Sequence, residues 1–307
     1  MKDLIATGDP DNSLLQQLTA LINLLLEGGA AIPLTVRQSF FGGSVTALNK
    51  KDGGLRPIAV GCTLRRLTAK VCCRAVSDRA FHLLAPRQLG FGVQGGAEAA
   101  AHAARRYADS LPTNSVLVKL DFKNAFNSLR RDTILEAVAE FLPDLLPYAL
   151  LTLNDNTHLH FGNFTFDSAE GVQQGDPLGP LYFCLAIHKL LLSLNCEFIV
   201  GYLDDITIGD SVDIVLADLL HIEVTAKAMG LQLNRAKSEV IGCTAATRDV
   251  FLAAGVSLVE VPTNDAVLLV HHLRKQELTL HWKRNVESWQ NYWIGYSSCH
   301  HMTACIY

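Results

Sequence analysis

Long apolar runs are missing from this chain, as are paired cysteines, internal repeats and low-complexity linkers. No run approaches the ~18 residues that a membrane-spanning helix requires. The longest candidate, over 14–26, is broken by Gln16, Gln17, Thr19 and Asn23 and reads as an amphipathic helix. The opening Met1-Lys2-Asp3 lacks the charged-then-apolar layout of a secretion signal, so an intracellular protein is expected. None of the eight cysteines (Cys62, Cys72, Cys73, Cys184, Cys196, Cys243, Cys299 and Cys305) forms a Cys-x-x-Cys pair, and most sit in apolar stretches. That favours free thiols in a reducing compartment over a disulfide framework. Cys299-His300-His301 with Cys305 has zinc-ligand residue types but no recognised zinc spacing. Charged residues are sparse at 18%, against 49% apolar, which describes a folded chain and excludes a disordered one.

The few charges are unevenly placed. Residues 1–110 carry 13 Lys+Arg against 8 Asp+Glu, and residues 111–307 carry 13 against 22. A basic front can meet phosphates and an acidic rear can hold divalent cations, although solvated surface charge gives the same imbalance.

The spacing predicts helices over 13–27, 64–84, 98–109, 133–142, 178–194 and 212–229. Strands are expected over 115–120, 231–233 and 239–241. Asp52-Gly53 marks a turn between short extended runs, and Gly162-Asn163 marks a hairpin over 159–166. A second hairpin over 198–209 is expected to turn at Asp204-Asp205. Beyond Thr244 the pattern weakens. Irregular alternation with hairpins points to an α+β fold around an antiparallel sheet.

An apolar strand ending in an acid is costly unless the acid has a partner. The run over 115–120 ends at Asp121, and the second hairpin carries Asp204 and Asp205. Carboxylates on one sheet rim repel each other unless a cation intervenes. Three of them suit two Mg²⁺ ions roughly 3.5–4 Å apart, the arrangement used for in-line phosphoryl transfer. Asp also favours turns in its own right, so this pair alone leaves turn chemistry as the equal explanation.

Five ordered segments carry a resemblance. Tyr202-Leu203-Asp204-Asp205 resembles the catalytic hairpin of reverse transcriptases, and Asp121-Phe122-Lys123-Asn124-Ala125-Phe126-Asn127 is similar to their first acidic motif. Gly171-Val172-Gln173-Gln174-Gly175-Asp176-Pro177-Leu178-Gly179-Pro180 resembles the motif between them. Gly230-Leu231-Gln232-Leu233-Asn234 with Lys237-Ser238-Glu239 resembles the lysine-bearing motif that follows, and Arg56-Pro57-Ile58-Ala59-Val60 the fingers motif. Order and spacing are those of non-LTR retrotransposon and group II intron-type enzymes, over about residues 47–242.

The resemblance implies a right-hand polymerase: an α+β palm with an antiparallel sheet and packed helices, fingers, and a short or truncated thumb. The expected domains are an N-terminal extension over 1–45, fingers over 46–114, a palm over 115–244 with fingers elements interleaved, and a partial thumb or degenerate tail over 245–307. It implies RNA-directed DNA synthesis, with an RNA template, a DNA or RNA primer, dNTPs and Mg²⁺ (Mn²⁺ as the alternative ion), and no membrane partner.

By the same resemblance Asp121 and Asp204 are the principal metal ligands, supported by Asp205 and the Phe122 carbonyl. Phe126 lies beneath the incoming sugar and excludes a 2′-hydroxyl, which favours DNA precursors. Gln174 and Gly175 approach the nucleotide and template base, and Lys237 donates a proton near the leaving pyrophosphate. The doubled Gln173-Gln174 has no evident capping use, which favours a functional role. Arg56 with Lys50 or Lys51 are candidates to grip the triphosphate, a solvated hairpin rim being the equal alternative for the lysines. Arg65, Arg66, Lys70 and Arg74 share one helix that could line the template path or face solvent.

Two other readings are weighed: an RNA-dependent RNA polymerase, which Phe126 and the Gln-Gly-Asp-Pro run oppose, and a catalytically inactive, nucleic-acid-binding remnant of a retroelement.

Overall fold

The computed structural model describes residues 13–28, 32–49, 53–268 and 271–272. The Cys299-His300-His301 and Cys305 cluster and Lys50 and Lys51 lie outside the described residues. No helix among the described residues is long and apolar enough to cross a membrane. The chain falls into two units, one spanning Met1–Val76 with Arg131–Tyr182, the other Ser77–Arg130 with Phe183–Tyr307.

The first unit holds α1 (Ser13–Leu26), α2 (Leu34–Phe40), β1 (Gly43–Asn49), β2 (Leu55–Val60), the start of α3 (Thr63–Leu84), α6 (Arg131–Phe141), α7 (Leu146–Leu153), β4 (Thr157–Phe161), β5 (Phe164–Ser168) and the first residues of α8 (Gly179–Leu192). Its sheet runs β2-β1-β4-β5, with β1 and β4 parallel and both hairpins antiparallel. The expected turn at Gly162-Asn163 closes the β4–β5 hairpin, whereas Asp52 of the other expected turn lies outside the described residues. Arg65 ties the unit together from inside. It is only 3% exposed and bonds the carbonyls of Phe41 and Gly42, the Gln173 side chain and the Asp176 carboxylate.

The second unit is built on a five-stranded sheet, β6-β7-β3-β8-β9, antiparallel except for the β8–β9 pair. Its strands are β3 (Ser115–Leu120), β6 (Phe198–Tyr202), β7 (Asp205–Ser211), β8 (Glu239–Ile241) and β9 (Val259–Val261), with a separate pair β10 (Val267–Leu268) and β11 (His271–His272). Around them lie α4 (Gly96–Asp109), the single turn α5 (Ala125–Ser128), α9 (Val212–Ala228) and α10 (Ala245–Ala253). The centre is β3, where Val116, Leu117, Val118 and Leu120 are fully buried, as befits a strand covered on both faces.

Small residues let α4 approach this sheet closely. Ala100, Ala103, Ala104 and Ala108 are buried with Leu117, Phe198 and Val200 in one core cluster. Tyr107 stacks on Phe198 with centroids 4.8 Å apart, and Gly209, opposite Phe198 in the register, makes room for it. A Cβ on Gly209 would stand 2.4 Å from the Tyr107 ring.

Three expectations are corrected. The 231–233 segment is not a strand, since only Leu233 forms an isolated bridge, to Phe122. The second hairpin turns at Leu203-Asp204, because Tyr202 already pairs with Asp205. Just beyond Thr244, where the sequence pattern weakens, Ala245–Ala253 form α10, started by a reciprocal capping box between Thr244 and Thr247.

Candidate active site

The candidate site grows from the ends of three neighbouring strands. Antiparallel pairing of β3 with β7 runs to Leu120 opposite Ile206, so the next residue out on each strand is an acid, Asp121 and Asp205. Pairing of β6 with β7 runs to Tyr202 opposite Asp205, which leaves Leu203 and Asp204 as a two-residue loop. Leu203 occupies the left-handed region at φ +57, a conformation that two-residue hairpin loops demand and that Leu adopts only under strain. All three acids are half-buried.

The loop after α9 holds Asp121. The side-chain amide of Asn234 donates to Asp121 Oδ2 at 2.8 Å, and its backbone N–H donates to the Asp121 carbonyl at 2.7 Å. Ser238 Oγ, itself bonded to the Asn234 carbonyl, accepts from the Asp121 N–H at 3.1 Å. Lys123 donates to the Gln232 carbonyl, so backbone bonds take the Asp121 carbonyl and the Lys123 amide on either side of Phe122. Gly230, at φ +85, starts this loop where a Cβ would stand 2.5 Å from the Ser128 carbonyl. The lysine-bearing motif is thus a clamp on the first acidic motif, which its sequence did not disclose.

Negative charge accumulates here. Burial pushes Asp205 up to about 6, the Asp204 carboxylate adds to the shift, Lys119 opposes it, and Asp121 and Glu239 add further. Lys119 Nζ lies 3.7 Å from Glu239, its neighbour across β3 and β8. A carboxyl raised by burial and by an adjacent carboxylate is one that a divalent cation would stabilise in its charged form. Among the described residues no three acid, His or Cys side chains stand close enough together to hold a metal ion by themselves. Mg²⁺ does not require such a trio, since it takes one or two carboxylates and completes its shell with water and substrate phosphate. The donor set therefore fits Mg²⁺.

Phe126 sits on the single turn α5, which follows Asn124 in the left-handed region. Its ring stacks on Phe183 at 4.7 Å, so its orientation is held by packing. Lys237 is exposed on the clamp loop.

The remaining predicted residues belong to the first unit. Gly175, at φ +131, has a conformation reserved for glycine, and a Cβ there would meet the Ala59 carbonyl at 2.4 Å. The Gln174 carbonyl accepts from Ala59 N at 2.8 Å, while Arg56 on β2 is exposed. The two glutamines divide: Gln173 is buried, accepts from Arg65 and donates to Phe41 and Thr157, a structural use that accounts for one of the pair. Arg65 is likewise corrected. Its donors are spent inside the protein, so it does not line a template path. Arg66, Lys70 and Arg74 remain exposed at four-residue spacing, on one face of α3. Sequence reading missed Arg131, whose guanidinium donates to the Leu153, Asp155 and Gly171 carbonyls and to Ser168. It also missed Gln88.

The family model described as "Reverse transcriptase (RNA-dependent DNA polymerase)" matches residues 48–281. Among curated proteins, the retrotransposable element SLACS 132 kDa protein of Trypanosoma brucei gambiense is 28% identical over 248 residues. That alignment takes in 77% of this chain and 20% of the relative, so the chain spans about a fifth of its length. Among solved structures, telomerase from Candida albicans in complex with a TWJ fragment of telomeric RNA has a TM-score of 0.52 at 11% identity, over 70% of this chain and 45% of that one. Apo telomerase from Candida tropicalis, truncated from its C-terminal domain, has a TM-score of 0.51 at 12% identity, over 67% and 51%. At such identities the likeness concerns the fold.

Proposed function

We propose, from the premise that this chain belongs to the reverse transcriptase (RNA-dependent DNA polymerase) family, that it is the polymerase core of a retroelement and extends a primer with dNTPs along an RNA template. The observation that carries this reading is the acid cluster at the β3, β6 and β7 ends, where Asp205 is driven up to about 6 by burial and by Asp204. Asp121 and Asp204 would hold two Mg²⁺ ions, with Asp205 and the Phe122 carbonyl in support. When bound, such ions activate the primer 3′-hydroxyl and neutralise the leaving pyrophosphate.

The chain's own residues orient the reactants. Asn234 and Ser238 hold Asp121 toward the strand rim, and the β6–β7 hairpin carries Asp204. Phe126, fixed against Phe183, presents its ring to the sugar and selects against a 2′-hydroxyl. Lys237 supplies the proton that the pyrophosphate takes as it leaves. For Arg56, Gln174 and Gly175 a role in handling the dNTP rests on their motifs, as does a phosphate-binding role for Arg66, Lys70 and Arg74. We assign residues 46–114 to the fingers, 115–244 to the palm with fingers elements interleaved and 245–307 to a partial thumb or degenerate tail, and expect the protein to work inside the cell.

Primer extension with Mg²⁺ on a primed RNA template tests the reading. Wild type should extend with dNTPs in preference to rNTPs, and Asp204→Ala should lose extension by about three orders of magnitude or more. Equal extension by both proteins, or a preference for rNTPs, would sink it.

A further inference from the structure

Leu203, the residue that aims Asp204, has no side-chain reason to hold φ +57. What holds it is Gln88, which is completely buried. Gln88 Oε1 accepts from the Leu203 N–H at 2.8 Å and from the Gly90 N–H at 2.9 Å, and Gln88 Nε2 donates to the Leu203 carbonyl at 3.1 Å. Both backbone groups of the strained residue are therefore engaged by one amide.

The surroundings are shaped to this pairing. Arg87 and Leu89 bond Gly201 from either side of Gln88, at 2.7 Å each, as a one-bridge parallel extension of β6. At Gly201 a Cβ would stand 2.9 Å from Gln88 Nε2. At Gly90 a Cβ would stand 2.5 Å from Leu203 N. Two glycines and a buried amide thus fit one loop peptide, and the amide has no solvent to turn to if that peptide moves.

We infer that Gln88 is the positioning residue for Asp204: it holds the Leu203 backbone in the left-handed turn that directs the Asp204 carboxylate to the metal. This rests on the reading of Asp204 as a metal ligand. Gln88 touches neither substrate nor ion, and it acts through Leu203. Outer partners that orient a metal ligand are typically worth about 10–100-fold in metal affinity or activity.

The full chain is compared as wild type, Asp204→Ala, Gln88→Met and Gln88→Met with Leu203→Gly. Each is assayed by Mn²⁺ titration read by electron paramagnetic resonance, by primer extension, and by thermal melting. Gln88→Met keeps side-chain volume and should still melt cooperatively, yet bind Mn²⁺ and extend about tenfold more weakly or worse. Adding Leu203→Gly should recover a good part of both, because glycine takes a positive φ without help. That recovery is the result that a merely structural role for Gln88 does not produce. If Asp204→Ala keeps Mn²⁺ binding and extension, the metal-centre reading fails. If Asp204→Ala loses both while Gln88→Met stays within about twofold of wild type, or if Leu203→Gly restores nothing, the positioning role is overturned and the metal centre stands. Should Gln88→Met not fold, Gln88→Leu, which likewise removes all three bonds without burying a charge, carries the same comparisons.

Discussion

Asn234 grips Asp121 twice, once by its side-chain amide on the carboxylate at 2.8 Å and once by its backbone N–H on the carbonyl at 2.7 Å. The first bond fixes which way one carboxylate oxygen points, and the second fixes the strand end that carries it. Asn234→Ala removes the first and leaves the second. Extension should fall by about tenfold or more, with the melting temperature shifted by only a few degrees, as expected for a partner of a metal ligand. Steady-state extension beside a melting curve checks it. A drop in stability with unchanged turnover would contradict the assignment.

Arg65 and Asp176 form an ion pair with side chains 3% and 9% exposed. Removing one member of a buried pair strands the other charge, which costs about 3–5 kcal/mol. Arg65→Met should therefore lower stability by roughly that amount, the more so because the carbonyls of Phe41 and Gly42 and the side chain of Gln173 each lose a bond from Arg65, Phe41 keeping only the one from Gln173. The double change Arg65→Met with Asp176→Leu should recover part of the loss, since it removes the stranded charge. Recovery stays incomplete because Asp176 Oδ1 also accepts from Leu178 N at 2.9 Å. Urea midpoints of the three proteins measure this.

The arginine also shows where sequence reading reached its limit. The periodicity over 64–84 placed Arg65 correctly on a helix, observed as α3 (Thr63–Leu84), but could not tell its face from that of Arg66 one residue on. That depends on Asp176, 111 positions later in the chain. The same holds for the acids. Strand ends and hairpin order were legible, because alternation, Gly-Asn turns and apolar runs are local. That Asn234 clamps Asp121 and that Gln88 props Leu203 were not legible, because those bonds join residues 113 and 115 positions apart. Leu203 was a misleading signal in itself. Turn preference put the hairpin loop on the Asp pair, whereas pairing of Tyr202 with Asp205 put a strained Leu in it.

The thiols of the core should be inert. Burial pushes Cys72 up to about 12 and Cys73 up to about 11, and it raises Cys184 and Cys196 as well. A raised thiol pKa keeps the neutral form at working pH. At pH 8 a group titrating near 12 is thiolate about one part in ten thousand, and only the thiolate is nucleophilic. Iodoacetamide on the native protein at pH 8 should label the exposed Cys62 and leave these four unmodified until denaturant is added. Peptide mass spectrometry reads the outcome, and native labelling of Cys184 would contradict the packing described.

Phe126 separates a structural role from a selective one. Its ring stacks on Phe183 with planes 19° apart, so truncation removes both a core contact and the face offered to the sugar. Phe126→Tyr keeps the stacking area, and Phe126→Ala loses it. If the ring excludes a 2′-hydroxyl by bulk, Phe126→Ala should raise rNTP incorporation relative to dNTP by about 10–100-fold, the scale on which pocket shape alone discriminates one hydroxyl. Phe126→Tyr should leave that ratio near wild type. If the ring only packs, both kcat/KM values fall together in Phe126→Ala and their ratio stays fixed. The ratio in single-nucleotide extension is therefore the measurement that assigns Phe126 to selection or to the core.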